Sequence, residues 1–312
     1  MSLAVAFQMD PLEGLDPAGD SSLALGLEAQ RRGYRLYHYL PGALTLRDGG
    51  VRAQARPMTL SPDSAQPFAY GDWMTLDLAD ADVVMMRQDP PFDMAYITAT
   101  HLLEKVHPQT LVVNDPVSVR NAPEKLFVTQ FPNLMPPTLI SADPAEIADF
   151  RAAHGDVILK PLFGNGGADI FRVKPDDENL NALLEMFTRI YREPIIVQAY
   201  LPEIRQGDKR IILVDGEPVG AVNRIPPQGD ARANFHAGGR AERADLTGRD
   251  RDVCAAIGPT LRAQGLIFVG IDMIGDYLTE INVTSPTGIR EIDRLNACNV
   301  AGDVWDAVAR RL

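Results

Sequence analysis

The sequence predicts a mixed fold, with an α/β unit at the start of the chain and α+β units after it. In the first third, short apolar strands alternate with helices, which is typical of a parallel sheet covered by helices. In the remainder, strand-like segments come in pairs around turns, which indicates antiparallel hairpins. The chain has 312 residues, enough for two or three hydrophobic cores. We expect three parts, residues 1–121, 122–200 and 201–312.

The elements of the first part follow in order along the chain. LAVAFQM is a strand, residues 21–32 form a helix that ends at Gly33, and YRLYHYL is the next strand. After an irregular stretch come the strand ADVVMMR, a helix over residues 94–106 and the strand TLVVND.

Two polar stretches leave the strands of the first part, MDP at residues 9–11 and RQDPPFD at residues 87–93. Ligands of parallel sheets bind outside the carboxyl ends of the strands, so both stretches are candidate substrate contacts. Their prolines also suit rigid turns without a binding role, and both interpretations stay open.

The second and third parts are predicted to be antiparallel. DVILKPL and DIFRVKP form a hairpin around a glycine-rich turn, followed by a helix over residues 179–191 and the strand PIIVQAYL. KRIILVDG and PVGAVNRI form another hairpin. The chain then continues with a long irregular loop and a helix over residues 250–264. It ends with a hairpin of IFVGIDMIG with TEINV and a C-terminal helix.

The last of these hairpins carries a candidate metal site. In TEINV, Ile281 and Val283 alternate with Glu280 and Asn282, so the two polar residues share one face of the strand. The preceding strand holds a single acid, Asp272, and a buried carboxylate is costly unless it is paired or binds a metal.

The length of the hairpin loop decides whether these oxygen donors meet. A three-residue loop, residues 275–277, pairs Asp272 with Glu280 and puts Asn282 on their side, whereas a two-residue loop turns Glu280 to the other face. Two carboxylates and an amide oxygen suit Mg²⁺, which keeps its other positions for water and phosphate oxygens. The alternative is that Glu280 and Asn282 form the solvated face of the strand.

A glycine-rich hairpin tip, FGNGG at residues 163–167, is a candidate phosphate-binding loop. It is neither a P-loop, because GK[ST] is missing, nor a dinucleotide-binding turn, because a strand follows it. Successive backbone N–H groups at such a tip can still bind phosphate oxygens, and an ordinary flexible turn is the alternative. Lys160, in mid-strand, must find an anion or reach solvent. Lys125, in PEKLF, is most simply a surface helix lysine.

Basic residues cluster at the hairpin of the third part. RQGDKR occupies residues 205–210, and Arg224 ends the paired strand. Arginine suits bidentate binding of carboxylates and phosphates, with solvated strand ends as the alternative. The loop IPPQGDARANFHAGGRAERAD, residues 225–245, has no usable periodicity, and a lid over a reactive site is its first functional interpretation.

Composition excludes several classes of protein. The net charge of −12 argues against a nucleic-acid binder. No apolar run approaches a membrane span, and MSLAVAFQMD lacks the basic region and cleavage site of a signal peptide. Cys254 and Cys298 are too few for a disulfide framework, so we expect two buried thiols and a cytoplasmic protein. The histidines show no metal-ligand spacing, and no positioned nucleophile is found.

The motifs together resemble one family. They are MDP, DSS, LEAQRRGY, RQDPPFD, EKLF, ILKPL with GNGG, YLPEI, GDKR, AGGR, IGPTL, GLIFVGIDMIGD and LTEINVTSPTGIREI. Nearly end to end, the chain resembles bacterial glutathione synthetase, an ATP-grasp ligase. The resemblance implies an ATP-grasp fold behind an N-terminal parallel-sheet domain, with the phosphate loop in the central subdomain and the lid loop and magnesium site in the C-terminal one.

The resemblance also implies roles for individual residues. ATP would be bound by Lys125, Lys160, Gly164, Gly166, Gly167, Gln198, Ala199, Tyr200, Leu201 and Asp208. The metal, Mg²⁺ with Mn²⁺ as the alternative ion, would be held by Asp272, Glu280 and Asn282. Arg210 and Arg224 would be the catalytic residues. The peptide substrate would be bound by Arg210, Arg224, Asn282, Ser285 and Thr287, and the lid would include Arg232, Gly238, Gly239 and Arg240.

The implied reaction joins γ-glutamylcysteine to glycine with ATP as co-substrate, through an acyl phosphate, and the resemblance implies a homotetramer. Two residues depart from the family pattern: Phe163 stands where an acidic residue is expected, and Gly288 stands where a cysteine is often found. The first departure concerns loop closure, and the second concerns the wall of the substrate pocket. Two other functions stay open, another ATP-grasp carboxylate–amine ligase and a nucleotide-binding module without catalysis.

Overall fold

The computed structural model describes residues 2–63, 65–164, 166–230, 232–235 and 238–312. Its strands form three sheets. The strands of the first sheet are β1 (Ala4–Gln8), β2 (Arg35–Tyr39), β3 (Leu44–Arg47), β4 (Gly50–Leu60), β5 (Phe68–Tyr70), β6 (Met74–Asp77), β7 (Val83–Met86) and β8 (Leu111–Val113). The helices of this part are α1 (Ser21–Arg31), α2 (Met94–Leu103), α3 (Pro116–Asn121) and α4 (Glu124–Phe127).

The first sheet confirms the predicted parallel strands. β2, β1, β7 and β8 are neighbours in that order and pair in parallel. The prediction of an irregular stretch after β2 is wrong, because β3 to β6 lie there. β3, β5 and β6 each pair antiparallel with β4. In the first half of β4 the buried residues, Val51, Ala53 and Ala55, are small, and they alternate with exposed Arg52 and Gln54. Alanine, arginine and glutamine give a weak strand signal even where the period is right.

The second sheet packs on its own hydrophobic core. Its strands, in spatial order, are β11 (Phe171–Val173), β10 (Val157–Pro161), β12 (Ile195–Ala199) and β9 (Thr138–Ser141). α5 (Pro144–His154) and α6 (Leu180–Ile190) belong to this part, and its core contains Leu159, Phe187 and Val197. The β10–β11 hairpin was predicted from the sequence, whereas β9 and α5 were not.

The third sheet contains the polar hairpin, by which we mean the two strands that carry Asp272, Glu280 and Asn282. Its spatial order is β15 (Arg240–Arg243), β14 (Glu217–Ile225), β13 (Asp208–Val214), β16 (Phe268–Ile274) and β17 (Tyr277–Asn282). Its helices are α7 (Gly248–Ala263), α8 (Ile289–Asn296) and α9 (Val300–Ala309). The single C-terminal helix of the prediction is therefore two helices. The predicted long loop is also interrupted, because residues 240–243 form β15 and pair with β14.

The first and third sheets share their hydrophobic cores. Val84 of β7 and Ile271 of β16 lie in one cluster, and Val5 of β1 and Trp305 of α9 lie in another. The indole of Trp305 also donates a hydrogen bond to the carbonyl oxygen of Leu25 at 2.8 Å. The first and third sheets thus form one packed body. The second sheet has a separate core. Within the described residues, no helix combines the length and apolar character that a membrane span requires.

Candidate active site

A cavity of about 500 Å³, lined by residues of the second and third sheets, contains most of the residues singled out from the sequence. The volume suits a small-molecule ligand or cofactor. The lining includes Lys125, Lys160, Gly164, Gly166, Gly167, Gln198, Ala199, Tyr200, Leu201, Asp208, Arg210, Arg224, Arg232, Glu280, Asn282, Ser285 and Thr287. In the described part of the chain, four of the predicted residues do not line it, namely Asp272, Gly238, Gly239 and Arg240.

The hairpin of β16 and β17 has the predicted pairing. Asp272 lies directly opposite Glu280, which confirms that the two carboxylates are cross-strand partners. The amide nitrogen of Asn282 donates to Asp272 Oδ2 at 3.3 Å, so Asn282 lies on the same side. The three oxygen-bearing side chains are therefore brought together.

The predicted three-residue loop of this hairpin is wrong. The loop has two residues, Gly275 and Asp276, and a bulge beside Asp272 leaves Thr279 unpaired and restores the register. Gly275 has a φ of 56°, a conformation that glycine adopts without strain at the first position of a two-residue turn. The parity of a loop therefore does not fix which side chains face each other, because a bulge shifts the register by one residue.

Lys125, Lys160 and Glu280 form what we call the lysine end of the cavity. The two ammonium nitrogens lie 3.5 Å and 3.8 Å from Glu280 Oε1. Lys125, on α4, also donates to the carbonyl oxygen of Gly164 at 2.6 Å and contacts Glu124. Both lysines are buried, at 3% and 6% exposure, so the interpretation of Lys125 as a surface lysine is wrong.

Burial acts differently on the two lysines of this end. For Lys160, burial lowers the pKa and the charge of Glu280 opposes the shift. For Lys125, burial also acts downward, but Glu280 and Glu124 outweigh it and raise the pKa to about 12. Two buried cations thus converge on one carboxylate, which is an environment suited to an anion.

Arg210, Arg224, Asp208 and Asp272 form what we call the arginine end. Arg210 donates to both oxygens of Asp272, from Nε at 2.5 Å and from Nη2 at 2.9 Å. Arg224 Nη2 lies 2.8 Å from Asp272 Oδ1 and 2.7 Å from Asp208 Oδ2. All four side chains are buried, and among these described residues Asp272, held between the two arginines, is the one that does not line the cavity.

The two acids of the arginine end have opposite pKa shifts. Burial acts to raise the pKa of Asp272, but the two guanidinium groups outweigh burial and hold it below its usual value. Burial raises the pKa of Asp208 to about 6, against the attraction of Arg224. Asp208 Oδ1 is buried and has no hydrogen-bond partner among the described residues. Such atoms mark a place where a bound ligand could complete the hydrogen bonding.

The glycine-rich loop and the predicted lid meet above the cavity residues. Arg232 Nη1 donates to the carbonyl oxygen of Gly167 at 3.4 Å, and the side chain of Asn234 lies against Gly167. Arg240 is not part of a lid loop, because it starts β15 opposite Ile225. Some residues of the two segments lie outside the described residues, namely Asn165, Ala231, His236 and Ala237.

The strand end predicted to contact adenine has an apolar wall. Leu201 lines the cavity together with Ile158 and Ile204. The amide of Gln198 donates to Thr138 Oγ1 at 2.9 Å, which fixes its side chain at the edge of the second sheet. Flat apolar walls beside backbone groups suit a planar heterocycle.

The two departures from the family pattern have structural correlates. Phe163 stacks on Phe92 of the RQDPPFD stretch, with ring centroids 6.1 Å apart and an interplanar angle of 22°. Gly288 precedes α8 with a φ of 103°, where any other residue would be strained. The first departure thus connects the glycine-rich loop to the first sheet, and the second belongs to the turn that starts α8.

The polar stretches of the first part also meet. The backbone N–H of Asp89 donates to Asp10 Oδ2 at 2.8 Å, and Asp89 and Pro90 line the cavity. Arg87 is buried and donates from Nε to Ser22 Oγ at 3.0 Å. Among the described residues, two of the stretch 87–93 thus lie at the cavity and none of residues 9–11 does, and substrate contact by either stretch stays a prediction.

Sequence reasoning missed Glu124, which lines the cavity next to Lys125. Burial raises the pKa of its carboxyl, against the attraction of Lys125. The only signal for it was its position beside Lys125 in PEKLF. Lys209, in contrast, belongs to the predicted basic cluster but does not line the cavity in the described part of the chain. It pairs with Asp250 at 2.5 Å in the first turn of α7.

Comparison with solved structures defines the class of the fold. The chain superimposes on a D-cycloserine synthetase with a TM-score of 0.70 at 17% identity, over 99% of both chains. It superimposes on the ATP-grasp ligase PsnB with a TM-score of 0.64 at 17% identity, over 100% of both chains. The chain thus has the ATP-grasp fold.

The family follows from sequence comparison. Residues 3–120 match the model of the prokaryotic glutathione synthetase N-terminal domain, and residues 124–297 match that of the prokaryotic glutathione synthetase ATP-grasp domain. The glutathione synthetase of Mesorhizobium japonicum is 58% identical over 99% of this chain and 98% of that protein. That of Pseudomonas putida is 48% identical over 100% of this chain and 99% of that protein. The chain belongs to the prokaryotic glutathione synthetase family.

Proposed function

We propose that this chain joins γ-glutamylcysteine to glycine, using ATP and a divalent cation, and releases glutathione, ADP and phosphate. Membership of the family supports the reaction. The observation that carries the proposal is the cavity in which two buried lysines and two buried arginines converge on one polar hairpin. An acidic chain needs such a local concentration of positive charge to bind ATP and a peptide carboxylate.

Lys125 and Lys160 are proposed to hold the ATP phosphates. Their contacts with Glu280 are long, at 3.5 Å and 3.8 Å, so an incoming phosphate can replace these two contacts at little cost, while Lys125 keeps its close contact with Glu124. The glycine-rich loop supplies backbone N–H groups from the adjacent hairpin tip. Gln198 to Leu201 are proposed to hold the adenine. Asp208 is proposed to reach the ribose through its unpartnered Oδ1.

The donors of the hairpin fit a divalent cation that prefers oxygen ligands. Glu280 and Asn282 line the cavity as they stand, and phosphate oxygens would complete the coordination. Asp272 is also proposed as a ligand, but its oxygens accept from Arg210 and contact Arg224, so it would have to exchange one of these partners. When bound, the cation neutralises charge that develops on the transferring phosphoryl group.

Arg210 and Arg224 are proposed to bind and orient the peptide carboxylate. The carboxylate oxygen of the cysteine moiety attacks the γ-phosphorus, the bond to ADP breaks, and an acyl phosphate forms. The amine of glycine then attacks the acyl carbon and loses a proton, and phosphate leaves with that carboxylate oxygen. Arg210 and Arg224 stabilise the developing charge, and Ser285 and Thr287 position the peptide.

The predicted lid is proposed to exclude water while the acyl phosphate exists. Arg232 contacts the glycine-rich loop at Gly167, so the two segments can close together over the phosphates.

Phosphate release tests the proposed function. With ATP and Mg²⁺, we expect sustained phosphate release only when both γ-glutamylcysteine and glycine are present, in equal amount with glutathione. Another carboxylate–amine ligase would stay inactive with this pair and respond to other acids or amines. A nucleotide-binding module would bind ATP and release no phosphate with any pair. Either of the last two results contradicts the proposal.

A further inference from the structure

The turn formed by residues 284–287 is held to the first sheet from two sides. Ser285 Oγ donates to the carbonyl oxygen of Arg87 at 3.3 Å. On the other side, the carbonyl oxygen of Val283 accepts from the side chain of Asn114 at 2.7 Å. Asn114 follows β8 directly, so the ends of two neighbouring parallel strands contact the turn that lines the cavity.

The side chain of Asn114 makes three hydrogen bonds to backbone groups of the third sheet. Its Nδ2 donates to the carbonyl oxygens of Phe268 at 2.8 Å and of Val283 at 2.7 Å, and its Oδ1 accepts from the N–H of Phe268 at 2.8 Å. The residue is 3% exposed. A carboxamide offers two N–H groups and a carbonyl oxygen, so the site uses both kinds of atom that this side chain has.

These bonds lie at both roots of the polar hairpin. Phe268 begins β16, which carries Asp272, and Val283 follows β17, which carries Glu280 and Asn282. Asn114 thus connects the start of β16 to the end of β17. These two strands carry the candidate metal ligands, and the turn that is the candidate substrate contact follows β17. Asn114 does not line the cavity in the described part of the chain, so it cannot touch a substrate there.

We propose that Asn114 is a positioning residue for the reaction: it fixes the turn 284–287 and the hairpin at a set distance from the first sheet. This inference rests on the proposed function, because it assigns the peptide to that turn. A displaced turn would misalign the peptide carboxylate against the γ-phosphate. The lysines and the adenine wall belong to other elements, α4 and the second sheet, so ATP binding should not depend on Asn114.

The test compares Asn114→Ala with the natural protein in steady-state kinetics. We expect kcat/KM for γ-glutamylcysteine to fall by about tenfold to a hundredfold, the range that small misplacements of reacting groups produce. The KM for ATP and the directly measured ATP affinity should not change. The hydroxyl of Asn114→Ser can still donate to one carbonyl, so its kcat/KM for γ-glutamylcysteine should lie between those of the alanine variant and the natural protein. Asn114→Ser replaces the alanine variant in the test if the alanine variant does not fold.

A matched control is Asn296→Ala. Asn296 Nδ2 also donates to a backbone carbonyl of the third sheet, that of Ala221 at 2.7 Å, but it does not reach the turn. Its loss should leave kcat/KM for the peptide unchanged. Peptide kinetics unchanged in the folded Asn114 variant, or an equal loss of ATP affinity, would overturn the inference. A natural protein without phosphate release would instead overturn the proposed function.

Discussion

The two ends of the cavity hold their charges in different ways. At the arginine end, Asp272 accepts two aligned hydrogen bonds from Arg210, at 2.5 Å and 2.9 Å. At the lysine end, the ammonium nitrogens stay 3.5 Å and 3.8 Å from Glu280. A guanidinium in a bidentate pair is fixed in direction, whereas an ammonium acts as a point charge that can turn to another anion. The arginine end is thus organised before a ligand arrives, and the lysine end is open to exchange.

The supporting packing separates Lys160 from the other charged residues of the cavity. The arginine end stands on the third sheet, which shares its cores with the first sheet. Lys160 stands on β10 of the second sheet, which has a separate core. We expect the side chains of the arginine end to hold one geometry and Lys160 to adapt to the nucleotide.

The largest effect should come from removing the one carboxylate that both lysines face. Glu280→Gln keeps the shape and loses the charge, and we expect kcat to fall by about 10²- to 10³-fold, the usual cost of losing a group that acts in the transition state. ATP affinity should change much less. Asp276→Asn, at the exposed tip of the same hairpin, is the control. Near-normal turnover at saturating Mg²⁺ would remove Glu280 from the proposed ligands.

A conservative substitution at the arginine end sharpens the comparison. Arg210→Lys keeps the charge but cannot make the bidentate pair with Asp272, so we expect kcat/KM for the peptide to fall by about tenfold to a hundredfold. The same exchange at Arg262, which pairs with Glu217 on the surface at 2.8 Å, should have no effect on kinetics. If Arg210→Lys were as active as the natural protein, the fixed geometry of this end would not matter.

The stack of Phe163 on Phe92 should have a smaller effect. An aromatic pair contributes about 0.5–1.5 kcal/mol, so Phe163→Ala should raise the KM for ATP by roughly twofold to tenfold. In a double-mutant cycle, Phe92→Ala should add little to Phe163→Ala. Phe68→Ala, which removes a similar ring contact with Tyr70 away from the cavity, is the control. Full additivity of the Phe163 and Phe92 effects would mean that the stack does not support the loop.

The smallest effect concerns the predicted lid. Protease cleavage within residues 226–239 should slow when ATP and γ-glutamylcysteine are bound together, because the segment contacts the glycine-rich loop through Arg232. Cleavage in an exposed turn of the first sheet, at Asp48-Gly49, serves as the internal reference. Equal rates within residues 226–239 with and without ligands would count against a lid.

The sequence predicted the parallel strands from side-chain period, and it predicted the Asp272–Glu280 pairing from a loop length that the structure does not have. It did not predict β4, whose first half buries only valine and alanine, or the bulge at Thr279 that sets the hairpin register. The glycine-rich loop and Lys160 were found from local pattern. Asn114 and the contact of Phe163 with Phe92 were not, because their partners are distant in the chain, and Glu124 was not, because the burial of α4 is not visible in the local pattern.

The fate of one oxygen atom tests the proposed chemistry most directly. γ-Glutamylcysteine labelled with oxygen-18 in its cysteine carboxylate is incubated with ATP, Mg²⁺ and glycine, and the released phosphate is analysed by mass. If the carboxylate attacks the γ-phosphorus, one labelled oxygen must leave with the phosphate, and we predict that label. Phosphate that carries no label from the carboxylate would contradict the acyl phosphate and with it the ligase mechanism.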